Sequence, residues 1–223
     1  MKLPLFILLA LAPIAAQAAA VLSPADAGNI FGVQRDAGAG TVNVGIVGTA
    51  ANTNNWPAGE PPEKVLDGFG GKYLNFGKVD TGFIVTPSAG VSTLDSIKLW
   101  TANDADVRDP ASYEILGTNS AITGGTMSMA LFTPVSAGAL ALPSTRNAGG
   151  VAVLDDANSQ TVTFTNAASY ASYLVLFPTI KDAVAANSMQ IGEVQLFGTV
   201  IPEPGSAVIS LLGLATLALR RRR

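Results

Sequence analysis

The sequence predicts an all-β sandwich, and three observations carry that prediction. Short apolar or alternating runs recur along the chain, and Gly, Pro, Asn and Asp collect at the breaks between them. No stretch from Val21 to Val200 shows a helical period. The runs are Thr41–Val47, Lys72–Phe76, Gly82–Thr86, Leu94–Thr101, Ser112–Gly117, Met129–Val135, Thr161–Thr165, Tyr173–Phe177 and Gln190–Phe197. In Ser96-Ile97-Lys98-Leu99-Trp100-Thr101, polar and apolar residues alternate, so one strand face meets a core and the other meets water. Gln160–Thr165 alternates in the same way. Eight or nine such strands at these spacings suit a sandwich or jelly roll. Residues 21–40 are weakly patterned and read as a leader segment, at most a loose strand. Ala121–Met127 and Asn147–Asn158 read as long connections.

Both ends of the chain differ from this middle. Met1-Lys2 supplies a positive start, Leu3–Ala16 is apolar, and Ala16-Gln17-Ala18 reads as a small-residue cleavage site, with Ala20 an alternative end. The expected division is a signal peptide over 1–20, the leader segment 21–40, the sandwich 41–200 and a tail over 201–223. In that tail, Pro202-Glu203-Pro204 blocks helix propagation from upstream, because proline fixes φ and lacks an N–H. Residues 205–219 carry no charge and predict a single transmembrane helix. It is short of the roughly 20 residues a stable span prefers, which suits a transient anchor. Arg220, Arg221, Arg222 and Arg223 would remain on the cytoplasmic side as a positive-inside stop. The order of Pro-Glu-Pro, apolar helix and basic end resembles the PEP-CTERM sorting signal of Gram-negative bacteria. The resemblance implies an exosortase-type membrane protease as partner, a transient stay in the inner membrane, and a cut near Pro202-Glu203-Pro204. An ordinary tail anchor is the plainer alternative.

Between the ends, Val21–Val200 is 180 residues, enough for one domain. Lys2, Glu203 and the four terminal arginines lie outside it. That leaves 15 acidic and 8 basic residues, a formal charge of −7 against −3 for the whole chain. An acidic body without a basic cluster argues against a nucleic-acid partner. The chain has no cysteine and no histidine. Disulfides, Ser-His-Asp and Cys-His catalysis, and histidine-held zinc are therefore excluded.

A second resemblance rests on a series of segments. It opens with Glu63-Lys64-Val65-Leu66-Asp67-Gly68 and Lys72-Tyr73-Leu74-Asn75-Phe76, followed by Thr101–Ala105, Arg108–Glu114 and Leu142–Asn147. Gln190-Ile191-Gly192-Glu193-Val194-Gln195-Leu196-Phe197-Gly198 closes it. In this order they resemble a galactose-binding-like domain of the discoidin, or coagulation factor 5/8 type C, kind. The resemblance implies a jelly-roll β-sandwich, flanked by the signal helix and the transmembrane helix. It further implies a Ca²⁺ held by Asp67 and Glu193, with carbonyls of Phe69, Gly71 or Gly192 completing an oxygen set. Gly71 departs from the family, which often has Thr or Ser there. Read from the residues alone, Asp67-Gly68 is equally a turn.

Other residues keep two readings each. Trp56, within Asn52-Thr53-Asn54-Asn55-Trp56-Pro57, is either an exposed platform for a sugar ring or a loop tryptophan folded back on the domain. Trp100 faces core or solvent according to register. Tyr113, Tyr170 and Tyr173 read as packing residues with hydroxyls reaching the backbone. Arg108 is expected to pair with neighbouring carboxylates. Asp104, Asp106 and Asp109 otherwise form a cluster that a carboxylate-based carbohydrate-active enzyme would use. The leading expectation assigns no catalytic residue. It is an exported, non-enzymatic surface or extracellular-matrix protein whose sandwich binds carbohydrate such as exopolysaccharide. A purely structural matrix protein is the further alternative.

Overall fold

The structure is a computed structural model and describes residues 18–45, 56–148, 150 and 155–202. The expected signal helix and transmembrane helix, with Glu203, Pro204 and Arg220–Arg223, lie outside the described residues. Among those described, no helix is long and apolar enough to cross a membrane. Pro202 is described and exposed.

Thirteen strands make up the described body: β1 (Ala19–Ala20), β2 (Ile30–Asp36), β3 (Thr41–Val44), β4 (Tyr73–Asn75), β5 (Thr81–Val85), β6 (Ser92–Trp100), β7 (Ser112–Thr118), β8 (Gly125–Ser128), β9 (Thr133–Ala139), β10 (Ser159–Thr163), β11 (Ser172–Phe177), β12 (Met189–Ile191) and β13 (Glu193–Val200). One sheet has the order β1-β13-β6-β10, the other β8-β3-β2-β5-β11-β7-β9, and β12 pairs with β4 as a separate ribbon. Every pairing is antiparallel. Among the described residues only short 3₁₀ turns interrupt the strands, so this body is all-β, as its periodicity predicts.

Two apolar clusters hold these layers. The first lies between the sheets and gathers Ile97, Leu99, Val194 and Leu196 from one side with Phe83, Val85, Ile115, Tyr173, Val175 and Phe177 from the other. The second lies on the opposite face of the larger sheet: Val33, Val42, Val44, Ile84, Leu116, Met127, Phe132, Leu174 and Leu176. β11 is buried along its whole length because it serves both, Tyr173 and Val175 facing one way and Leu174 and Leu176 the other.

The second cluster exists because the larger sheet curls. β8 and β9 are its two edges, yet only Met129–Phe132 separate them in sequence. Seven flat strands would put the edges roughly 29 Å apart, while four linking residues reach at most about 18 Å. The sheet therefore wraps, and Met127 and Phe132 meet Leu116 from the far side. An ion pair from Arg35 on β2 to Glu114 on β7 crosses the same concave face, with Asp80 as the second partner of the guanidinium.

The structure differs from the sequence reading in several places, one being the run Met129–Val135, where Met129–Leu131 form a short 3₁₀ turn and β9 begins only at Thr133. Residues 21–40 are not a leader outside the sandwich: β2 lies inside the larger sheet between β3 and β5, and Val21 and Leu22 belong to the core. Asp26 fixes this segment, its buried carboxylate accepting N–H bonds from Ser23 (2.8 Å) and Ser88 (2.6 Å). Burial opposes its ionisation, but the bonds from Ser88 and Ser23 outweigh that and hold the pKa below the usual aspartate value. The connection Ala121–Met127 contributes β8, and the run Gln190–Phe197 is two strands parted at Gly192.

Candidate functional site

Glu193 opens the eight-residue β13 and Val200 closes it, so the sandwich has two poles about 23 Å apart. The pole at Glu193 collects the segments singled out in the sequence. β6 ends there at Trp100, and the loops after it and before β7 supply Thr101–Asp109.

The centre of this pole is Asp109, which is fully buried. Arg146 meets it with two parallel bonds, Nη1 to Oδ1 at 2.8 Å and Nη2 to Oδ2 at 2.7 Å, and Lys181 Nζ reaches Oδ2 at 3.0 Å. Arg146 also donates to the carbonyls of Pro143, Ser144 and Asp104. Asn147 donates to the Thr101 carbonyl, Asn158 to Asn147, and Gln190 to the carbonyls of Asp104 and Ala105. Lys72, itself nearly buried, holds Asp104 at 2.7 Å and Glu60 at 3.5 Å. A planar guanidinium with all its donors directed suits this junction better than an ammonium.

The expected partner of these carboxylates, Arg108, plays a smaller part: it sits 3.9 Å from Asp104. Sequence reasoning did not identify Arg146 as the organising residue. Of the three aspartates, Asp109 is enclosed by Arg146 and Lys181, Asp104 is held by Lys72, and Asp106 is exposed.

Asp67 and Glu193 do come together at this pole. The turn after Leu66 needs a positive φ, and Gly68 supplies it at +72°. That turn aims the Gly68 N–H at Glu193 Oε2, 3.2 Å away. Asp67 accepts the Phe69 N–H at 2.9 Å and the Lys64 ammonium at 2.9 Å, and its carboxylate raises the Lys64 pKa through that hydrogen bond. Glu193 is 9% exposed, and among the described residues no ion pair reaches it. Burial pushes its pKa up to about 8; the Gly68 N–H acts against this and the Asp67 charge adds to it. A buried carboxylate beside a second one, with no cation of its own, has the chemistry of a site that a hard divalent ion would complete. Among the described residues no three acidic groups gather, so carbonyls would have to supply most ligands.

Trp56 is half-buried and packs inward. Its ring stands edge-on to Tyr73 with centroids 6.1 Å apart, and Gly32 leaves the room, since a Cβ there would lie 2.3 Å from the indole. Its remaining surface lines a hollow of about 330 Å³ with Phe31, Pro61, Pro62 and Glu63. Trp100 turns its ring to the outer face of the four-stranded sheet, where Lys98 Nζ lies 4.6 Å from the ring centroid. The Tyr173 hydroxyl donates to the Ser92 carbonyl and Tyr113 bonds Ser136 at 2.8 Å, as packing tyrosines with backbone or side-chain partners do.

No protein-family model matches the sequence, and no curated protein matches it. Solved structures do match by fold. The domain CBM32-3 from a family 31 glycoside hydrolase of Clostridium perfringens superposes with a TM-score of 0.50 at 11% identity, over 78% of this chain and 94% of that one. The chain has this galactose-binding-like β-sandwich fold. Two further modules from the same organism are also similar. The family 32 CBM of NanJ, solved with galactose, has a TM-score of 0.48 at 12% identity over 81% of this chain and 99% of its own. CpGH89CBM32-5, solved with GalNAc-β-1,3-galactose, has 0.46 at 11% identity over 81% and 100%.

Proposed function

We propose that this chain is an exported, non-enzymatic carbohydrate-binding protein of the cell surface or extracellular matrix, with exopolysaccharide as the ligand class. One observation carries the reading: Trp56 and the partly exposed Phe31 present aromatic surface in a hollow of about 330 Å³, within the range of small-ligand pockets. Aromatic faces accept the C–H side of a sugar ring, and the Glu63 carboxylate in the same hollow accepts its hydroxyls. The shared fold with a carbohydrate-binding module supports the reading by analogy only, since one fold hosts many functions. The ion pairs that occupy Asp104 and Asp109 favour binding over carboxylate catalysis.

Ca²⁺ at Asp67 and Glu193 is part of the same proposal. The ion would neutralise a buried carboxylate and tie the turn after Leu66 to the first residue of the last strand. Sorting through Pro202-Glu203-Pro204 and Arg220–Arg223 by an exosortase-type protease, with brief inner-membrane anchorage, would deliver the protein. The test is binding of the purified protein to an array of neutral and amino-sugar glycans. Trp56→Ala should weaken any hit about tenfold, the size of one lost aromatic contact. No binding to any glycan would leave the purely structural matrix protein.

A further inference from the structure

β1 lies between the two places at which the signal peptide was expected to end, Ala18 and Ala20. It runs antiparallel to β13, Ala19 opposite Gly198 and Ala20 opposite Phe197. Ala19 at the start of β1 and Val200 at the end of β13 therefore lie toward the same pole, opposite Glu193. We propose that signal-peptide cleavage falls between Ala18 and Ala19 and the tail cut beyond Ile201, so that both processing points lie together at this pole. The inference rests on reading the two ends as export and sorting signals.

The choice of Ala18 over Ala20 follows from what each cut would leave. A cut after Ala20 removes β1 and makes Val21 the charged amino terminus. Val21 is 2% exposed and its N–H donates to the Leu196 carbonyl at 2.8 Å. An ammonium there would be desolvated without a carboxylate partner. Leu22, next along, is also core, and the Gln195 side chain both accepts from its N–H and donates to its carbonyl. A cut after Ala18 instead leaves the new amino group on Ala19, an exposed residue at the sheet edge, with β1 intact.

The opposite cut is bounded by the same sheet. β13 stays paired to Val200, and the Ile201 N–H donates to the Val91 carbonyl at 2.8 Å. A protease needs chain that is free of such pairing. Pro202 is the first exposed position past the last of these bonds.

Intact-mass measurement with amino-terminal sequencing of the exported protein tests this. The expected product begins at Ala19 and ends beyond Ile201 but without Arg220–Arg223; retention of the arginines overturns the tail cut. A product that begins at Val21, or ends before Ile201, overturns the proposal while leaving export itself standing. A product that still begins at Met1 overturns the reading of the ends and this proposal with it.

Discussion

Asp109 and Glu193 are both buried carboxylates at one pole of the same sandwich, and they are treated in opposite ways. Asp109 has an arginine on both oxygens and a lysine on one. Glu193 has one backbone N–H and another carboxylate for company. Both are withdrawn from water, and the difference lies in what offsets that burial. The Asp109 cluster is complete in the protein alone and reads as scaffolding. The Glu193 corner has no such partner among the described residues, so a proton, or the calcium ion proposed above, would have to offset its burial.

Breaking the complete cluster should have the largest effect. Arg146→Ala leaves Asp109 enclosed with Lys181 alone, and chemical denaturation should report a loss of about 3–5 kcal/mol. A loss under about 1 kcal/mol would mean that water already reaches Asp109.

The Glu193 corner should show itself through pH. Its folded pKa of about 8 lies above the ordinary glutamate value of 4.5, so the folded state holds the proton longer than the unfolded one. In metal-free buffer, stability should be greatest below about pH 4.5 with respect to this group and decline toward pH 8, by on the order of 5 kcal/mol. Glu193→Gln should flatten that decline in thermal melts. A variant that keeps the same slope would assign it to another group.

Asp26 sharpens the contrast from the other direction. Its pKa is held below the ordinary 3.8, so its contribution is present above that value and lost as the pH falls through the folded one. Asp26→Asn should cost about 1–2 kcal/mol at neutral pH and progressively less in acid, measured by denaturant midpoint. Arg108→Ala should have the smallest effect, within about 0.5 kcal/mol, because 3.9 Å from a half-exposed Asp104 is a weak surface pair.

What the sequence revealed and what it hid follow from range. β6, β10 and β11 were legible because alternation, or continuous apolarity, is a local property of their residues. β2 was not, since Gly32, Gln34, Arg35 and Asp36 interrupt its apolar pattern, and only its place between β3 and β5 makes it a strand. β8 has four residues with one apolar side chain, too short to register. Trp56 was legible as a choice between platform and packing; the space left by Gly32 sets how far the ring turns inward. At the pole, Arg146 and Asp109 are 37 residues apart, and Gly68 and Glu193 are 125 apart. Nothing in a linear pattern joins such pairs. The second was anticipated by resemblance, while the first needed the topology.

Calcium titration of the purified protein, read by thermal melting beside Glu193→Gln, tests the contrast between the two carboxylates most directly. An ion bound only to the folded state should raise the melting temperature of the unaltered protein by several degrees once it reaches about a hundred times its dissociation constant. The variant should not respond. Equal melting curves with and without millimolar calcium would contradict the account, leaving Glu193 as a carboxyl that folds in its protonated form.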